Sequence, residues 1–332
     1  MNPIAENQGG SPFVSPVAVD AWDTWFRWRE NGMLHDETVD ATWRRVASTL
    51  ALLEPEPGRA AFELRLLDAF ASWCLLLDER LLATAGTGKD SWPDNDLVAV
   101  LNIVGFVRQR DTPDATVDLA AVKDCAELAT RALDNALLLG NRSGQESKKL
   151  RIGIIGYAET LVLLGLDYCA LEALRLARSL AQSLAEGCLR ASVALAELRG
   201  ATARCDEAWI KKARLRRTPA ELVGRAEGHG LRHASLTSIG PQPRLAKFAN
   251  DTSDAVLPLT TGAARSANRG SRPGAPVVAV PAQLEIRGAM QPWIDEPISC
   301  PVRALAKPIP VSHLDWYARA TKLGLGTLSW SF

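Results

Sequence analysis

The stretch Arg151–Gly200, RIGIIGYAETLVLLGLDYCALEALRLARSLAQSLAEGCLRASVALAELRG, reads as two helical patterns back to back, the second unusually long. From Leu171 the apolar and small residues recur at Leu174, Ala177, Leu180, Leu184, Cys188, Ala191, Leu195 and Leu198. Steps of three and four place these on one face of an α-helix, because successive helical side chains turn by about 100°. Arg175, Arg178, Gln182, Glu186 and Arg190 fall opposite, on the face expected to meet water. Gly200 follows the last apolar residue, where a helix C-cap is expected. A helix of roughly 30 residues spans about 45 Å, enough to be the spine of a domain.

Outward from this spine, the chain of 332 residues can form one large domain or two ordinary ones. Its 47% hydrophobic content suits a globular protein with a real core. Lys and Arg number 38 and Asp and Glu 38, so the overall charge points to no polyanionic partner, and nucleic-acid binding is not expected. Cys74, Cys125, Cys169, Cys188, Cys205 and Cys300 include no C-x-x-C pair, which argues against a zinc ribbon or a thioredoxin motif. Unpaired thiols on apolar faces imply a reducing, cytoplasmic setting. The polar, Gly/Pro-rich opening MNPIAENQGGSP lacks the basic and apolar regions of a secretory signal, and Glu159 interrupts the best apolar run, so no membrane span is expected.

Residues 1–15 are expected to form a mobile tail. Val17–Asn31 carries Trp22, Trp25 and Trp28 at steps of three, a stripe that favours a helix packed on the core over base-stacking rings. Glu37–Leu53 and Arg59–Leu82 read as helices separated by the breaker EPEPG. ATAGTGKDSWPDND is a loop; a phosphate-binding P-loop would need Gly at Ala83 and Ser or Thr at Asp90. Leu97–Val107 is a buried strand or the start of a buried helix, and Val117–Leu139 is helical. Arg199–Lys247 holds eleven Lys or Arg against four Asp or Glu, which fits a solvated helix face or a phosphate-bearing ligand. HASLTSIGPQPRLAKFAN reads as strand, turn and helix, a geometry able to offer backbone N–H groups to an anion. Residues 258–276 form a Gly/Pro/Arg-rich loop, PVVAVPAQLEIRG suggests one or two short strands, and Ser312–Gly324 a helix with Leu314, Tyr317 and Ala318 toward the core. GTLSWSF closes the chain as a strand.

Several of these stretches, in order, resemble the large subunit of ribonucleotide reductase, nearest to its adenosylcobalamin-dependent (class II) proteobacterial form. SPVAVDAWDTWFRWRENG and DETVDATWRRVASTLA are similar to that family's opening helices, and LLDERLLATAGTG to its LPAGRILAGAGT segment. LNIVGFV resembles the end of CNLGSINLARFV, and RIGIIGYAETLVLLGLDY resembles RIGLGVMGLADLLLRLGLRY. RASVALAELRGA matches ASVELAKERGAF, and LRHASLTSIGP falls where the family has RRNATLTTIAPTGTIS. MQPWIDEPISCPVRALAKPIPVSHLDWYARATKLGLGTLSW is similar to MQAFIDQAISKTINLP followed by a helix and GLKGCTVYR.

The departures bear on chemistry. The NPCGE motif, which carries the family's radical cysteine, has no counterpart between Gly88 and Leu97. Asp96 stands where the first reducing cysteine belongs, and the strand bearing its partner is missing. PTGTIS has become Pro241-Gln242-Pro243-Arg244-Leu245-Ala246, Cys300 replaces the Lys after IS, and the paired-cysteine tail is not found before Phe332. Thiyl chemistry needs positioned thiols. The resemblance therefore implies a degenerate relative that does not itself reduce ribonucleotides. Adenosylcobalamin is implied by the resemblance alone, and neither a cofactor nor a metal is expected.

The family's catalytic domain is a ten-stranded α/β barrel. With strands missing, a mainly α (α+β) fold is expected: a helical shell around a small residual sheet, the barrel incomplete. Residues 16–257 would form this mostly helical domain, with 277–332 packing on it as strand, helix and strand. Helix faces uncovered by the lost strands would favour a homo-oligomer. The function implied is a nucleotide-binding or protein-interaction module, with Thr237, Ser238, Gly240, Gln242, Arg232, Arg244 and Lys247 as the phosphate-binding candidates. The alternatives are a repurposed enzyme or an accessory or inhibitory subunit of an intact reductase. For a repurposed enzyme, Cys300, His229, His233, His313, Glu159 and Asp295 are the available groups, with Cys300 the candidate nucleophile.

Overall fold

A computed structural model describes residues 12–89, 91–93, 95–110, 112–140, 148–259, 278–303 and 313–331. The spine is present: helix α7 runs Leu171–Arg199 and stops at Gly200, whose φ of 85° is the left-handed backbone a glycine adopts cheaply. Ala177, Leu180, Leu184, Cys188, Ala191 and Leu195 are buried as the stripe requires, while Leu171 and Leu198 at its ends are exposed.

The first half of the same stretch is different. Lys149–Ile155 is a strand (β7), the turn at Gly156 has φ 75°, and only Tyr157–Leu163 (α6) is helical. RIGII is short and rich in Ile, and an apolar run of that length fits a buried strand as well as a helix.

The helix α5 (Leu119–Gly140) connects β4 (Leu97–Asn102) to β7 and makes the main contact with α7. The two cross closely at Gly187, where an added Cβ would sit 2.2 Å from the Lys123 carbonyl oxygen. The sheet has the order β3-β4-β7-β8, with β3 at Leu75–Leu77 and β8 at Ser235–Thr237. β4, β7 and β8 are parallel and β3 is antiparallel to β4. Among the described residues this is the largest sheet, and it is open. The fold is therefore mainly helical with a small sheet and no closed barrel.

Several elements differ from their sequence-based expectation. The helix expected over Arg59–Leu82 ends at Ala71 (α3, Gly58–Ala71), gives way to β3 and resumes as α4, Glu79–Thr84. Trp73 takes φ 55°, and Cys74 N–H donates to the Ala69 carbonyl while Trp73 N–H donates to that of Phe70. That is a Schellman end built without glycine, which no local signal announces. The tryptophan stripe is also shorter. Helix α1 covers Pro16–Trp25, so Trp28 lies beyond it and stacks on His35 at 4.0 Å. Trp22 is buried and donates from Nε1 to Thr42 Oγ1 in helix α2, Val39–Ala51.

The expected mobile tail of 1–15 is not loose throughout. Phe13 packs against Trp22, Trp73 and Phe248, and Val14 N–H donates to Asn250 Oδ1. Residues 1–11 lie outside the described residues, as does nearly all of the loop expected at 258–276.

In the C-terminal segment, the strands expected in PVVAVPAQLEIRG are instead part of a helix, Val280–Met290, packed on α7. Pro281 sits in its first turn, where a missing N–H costs nothing. The helix His313–Lys322 faces inward with Trp316 and Ala320; Tyr317 and Ala318 are exposed, contrary to expectation, and the Leu314 side chain lies outside the described residues. Trp330–Ser331 pairs in parallel with Val302–Arg303 as a short strand.

The expectation of broad uncovered helix faces is not met among the described residues. The exposed large apolar side chains are few and spread along the chain: Val14, Val17 and Val19 at α1, Met33 and Leu34, Leu52, Leu64, Leu171 and Leu198 at opposite ends of α7, Leu215 and Tyr317.

Glycine is a poor residue for a helix interior, and alanine would be favoured there by about 1 kcal/mol. At Gly187 the backbone clash should outweigh that gain, so Gly187→Ala is expected to lose about 1–3 kcal/mol in urea unfolding. A more stable variant would show that α5 and α7 can part without cost.

Candidate functional site

Between the spine and the sheet lies a buried ionic cluster. Asp134 of α5 is fully buried. Its Oδ2 accepts from Arg199 at 2.6 Å, and its Oδ1 from Arg232 Nε at 3.0 Å, with His233 Nε2 at 3.3 Å and Lys148 Nζ at 3.7 Å. Burial pushes its carboxyl up, but His233, Arg232 and Arg199 outweigh that and hold it well below the usual range. Burial lowers His233, against the pull of Asp134. Arg199 also reaches Glu54 (3.5 Å), whose Oε atoms accept from Arg131 and Asn135.

This cluster decides the fate of one predicted phosphate ligand. Arg232 is buried, bound to Asp134 and to the carbonyl oxygens of Arg199 and Gly200. Its guanidinium is committed to structure, a correction to its assignment as an anion ligand. Six of the eleven basic residues of Arg199–Lys247 carry an ion pair, and Arg204, Lys211, Arg214, Arg217 and Lys247 are exposed. Arg225 pairs with Glu197, Arg216 and Lys212 with Asp295, and Arg244 with Glu79.

The strand-to-helix turn forms as read, with β8 leading to a short helix α10, Pro243–Phe248. Thr237 is buried, and its Oγ1 accepts from Asp295 N–H at 2.9 Å. Ser238 is also buried, with its N–H on the Ile152 carbonyl. Gln242 N–H donates to Asp254 Oδ1 at 2.8 Å. Arg244 and Lys247 are exposed and lie over the Trp25 ring, at 5.3 and 6.0 Å from its centroid. Gly240 is the open point of the turn. The position its Cβ would take is 3.6 Å from Ser299 Oγ and 3.9 Å from Arg151 Nη2. Neither Arg151 nor Ser299 stands out in the sequence, because they come from β7 and from the segment after Trp293.

At the neighbouring strand ends, Glu159 accepts from Ser253 N–H at 2.7 Å and Ser253 Oγ at 2.5 Å, and burial raises its pKa. Burial pushes Asp254 up to about 6, against the N–H groups of Gln242 and Ala255.

Every thiol has its pKa raised, and only Cys169 is exposed. Cys300, the candidate nucleophile, is 1% exposed, belongs to the main core and has its pKa raised by burial. Burial also raises Cys125, and takes Cys188 to about 12 and Cys205 to about 11. Cys169 is the exposed one, and burial and Asp167 raise it too. A thiol held protonated in this way is a poor nucleophile, so the assignment of Cys300 fails on burial.

The histidines are likewise apart. His229 is exposed, 3.8 Å from Glu197, whereas His233 is buried against Asp134; the His313 side chain lies outside the described residues. Among the described residues no three His, Cys, Asp or Glu side chains group as metal ligands, and no helix is long and apolar enough to cross a membrane.

An open sheet of parallel strands with crossover helices, its polar turn at the strand ends, is what part of an α/β barrel leaves. The chain belongs to the ribonucleotide reductase barrel-domain family, whose model matches residues 97–272, just over half of its length. Two vitamin B12-dependent ribonucleoside-diphosphate reductases from Mycobacterium tuberculosis strains, CDC 1551 / Oshkosh and ATCC 25618 / H37Rv, are each 27% identical over 146 residues. Those residues are 42% of this chain and 19% of each relative, so the match spans about a fifth of the relatives' length.

Two outcomes test the site's electrostatics. Asp134→Asn removes the charge that balances Arg199, Arg232 and Lys148, and should cost about 3–5 kcal/mol in denaturant unfolding. Asp254, with its native pKa raised from 3.8 to about 6, holds its proton more tightly when folded. The stability it contributes is present below 3.8 and lost as pH rises through 6. Asp254→Asn should therefore flatten the pH dependence of the urea midpoint across that window, and an unchanged slope would sink the assignment.

Proposed function

We propose that this ribonucleotide reductase-family domain binds a nucleotide through its phosphates at the turn Thr237–Arg244 and does not itself reduce it. The observation that carries this reading is the placement of Arg151 and Ser299 against Gly240. A guanidinium and a hydroxyl from two separate elements come to the one residue of the turn that has no side chain; Arg151 is held from its Nε side by Glu296 at 3.3 Å, which leaves its Nη2 toward Gly240. Arg244 and Lys247 add exposed positive charge on the next turn of chain. Thr237, Ser238 and Gln242 act in this reading through the backbone they shape, since the Thr237 hydroxyl and the Gln242 N–H already have partners.

The thiol chemistry argues against reduction. Radical reduction needs a cysteine open to the substrate, and the side chain facing this turn is Ser299, while its neighbour Cys300 is turned into the core. Adenosylcobalamin, suggested by the relatives' names, does not fit these residues for the same reason. The bound nucleotide would be sensed or sequestered, not converted.

Thermal denaturation with ADP, GDP, CDP, UDP and the triphosphates tests this directly. At millimolar concentration at least one should raise Tm by a few degrees, because a ligand that binds only the folded state stabilises it. Arg151→Ala should weaken that ligand about tenfold with the fold intact. No shift with any nucleotide, or an unaffected Arg151→Ala variant, would leave the reading without support.

A further inference from the structure

At the entry end of β8, away from the Gly240 turn, lies a cavity of about 210 Å³. Its walls come from the middle of α7 (Gln182, Glu186, Leu189), from α8 (Glu207–Leu215) and its C-terminal end, from the lead-in to β8, and from Trp293 and Asp295. We propose that this cavity is a binding site for a compact carboxylic acid with a flat, apolar body.

Three buried polar atoms of its lining residues have no hydrogen-bond partner: Nη2 of Arg216, Oγ of Ser235, and Nε2 of His233, the last lying 3.3 Å from Asp134 Oδ1. Arg216 cannot swing away to satisfy itself in water. Its Nε donates to the Pro292 carbonyl at 2.7 Å and its Nη1 to Asp295 Oδ1 at 2.9 Å. Asp295 is fixed in turn, accepting on Oδ2 from the N–H groups of Leu236 and Thr237. A buried donor on a cation is costly to leave unmade, so a guanidinium held still with one nitrogen unused is a feature to be explained by a ligand.

The charge balance sets the sign of that ligand. Lys212, Arg216 and Arg217 line the cavity against Asp295, and Glu186 is already matched by Lys123 at 2.8 Å and Arg190 at 3.0 Å. The excess is positive. An anion would receive the Arg216 Nη2–H and the Ser235 O–H, two donors suited to the two oxygens of a carboxylate.

The remaining wall sets the body. Leu189, Leu231, Leu236, Trp209 and Trp293 supply apolar surface, and Trp293 is held by its Nε1–H on the Arg216 carbonyl at 3.3 Å. The volume gives room for a small organic acid. Thr237 belongs both to this lining and to the start of the turn, whereas Arg151, Gly240 and Ser299 do not line the cavity.

Isothermal titration of the full chain with benzoate, with benzamide as its uncharged isostere and with inorganic phosphate tests the proposal. Benzoate should bind, and benzamide at least about tenfold more weakly, the scale of one lost charge-assisted hydrogen bond. Ser235→Ala should weaken benzoate by several fold. Ala185→Leu, which places bulk in the cavity from the half-exposed side of α7, should abolish binding while circular dichroism and Tm stay as in the parent chain. Absence of benzoate binding, equal binding of benzamide, tighter binding of phosphate, or a folded Ala185→Leu variant that binds normally would each overturn it.

Discussion

A carboxylate with no exposure to water, Asp134, is the constraint on which the arrangement of spine and sheet depends. Left alone, such a charge would cost several kcal/mol or take up a proton. It is held ionised by groups from three different places: Arg199 at the end of α7, Lys148 at the start of β7, and Arg232 and His233 just before β8. Because each partner must arrive at the same two oxygens, the ends of one long helix and two parallel strands are located together. Arg199 then passes the constraint on to Glu54, and so to the loop after α2. The long helix is therefore fixed along its length by two kinds of contact. Apolar burial and the close crossing at Gly187 set its face and distance from α5, and the ionic cluster sets its terminus.

How part of a barrel can stand without closing follows from its edges. An uncovered strand offers unpaired N–H and C=O groups that invite aggregation. Here one edge is extended by β3, whose Leu75–Leu77 are all buried and pair antiparallel with Ala99–Leu101 of β4. At the other edge, Glu296 N–H donates to the Thr237 carbonyl and Ser299 N–H to that of Ile239, so an extended segment lies along β8 without becoming a full strand. The sheet is finished by short pieces at both sides in place of curling round on itself.

The parts of this fold legible from sequence are those governed by local periodicity. The α7 stripe, the α5 pattern and the strand–turn–helix at Ser235–Phe248 each follow from spacing and a breaker residue. What local periodicity does not decide depends on contacts far along the chain. Leu75–Leu77 continues a helical pattern until Trp73 adopts a left-handed backbone, and only β4 explains why it should. The Ile and Val around Arg151 and Val280 fit strand or helix alike, and the neighbours choose differently in the two cases. In the basic run from Arg199 to Lys247 the sequence does not separate the solvated residues, such as Lys211 and Arg214, from the paired ones, because the acidic partners Asp134, Asp295 and Glu79 are far away in sequence. For the same reason Arg151 and Ser299 carried no signal: their meaning arises when β7 and the segment after Trp293 meet at Gly240.

That segment also ties the two ends of β8 together. Asp295 holds the backbone of Leu236 and Thr237 and fixes Arg216 at the cavity, while Ser299, four residues on, faces the open turn. The Thr237 hydroxyl links the same two pieces of chain from the strand side. With β8 only three residues long, a shift of Asp295 would move Thr237, and through it the exit turn. The positive charge of Arg199–Lys247 is thus divided: Arg199 and Arg232 form a buried structural share at Asp134, while Arg204, Lys211, Arg214, Arg217 and Lys247 stay exposed, Lys211 and Arg214 on the solvated face of α8. One stretch of backbone, from Asp295 to Ser299, ties β8 to Arg216 on one side and to the turn at Gly240 on the other.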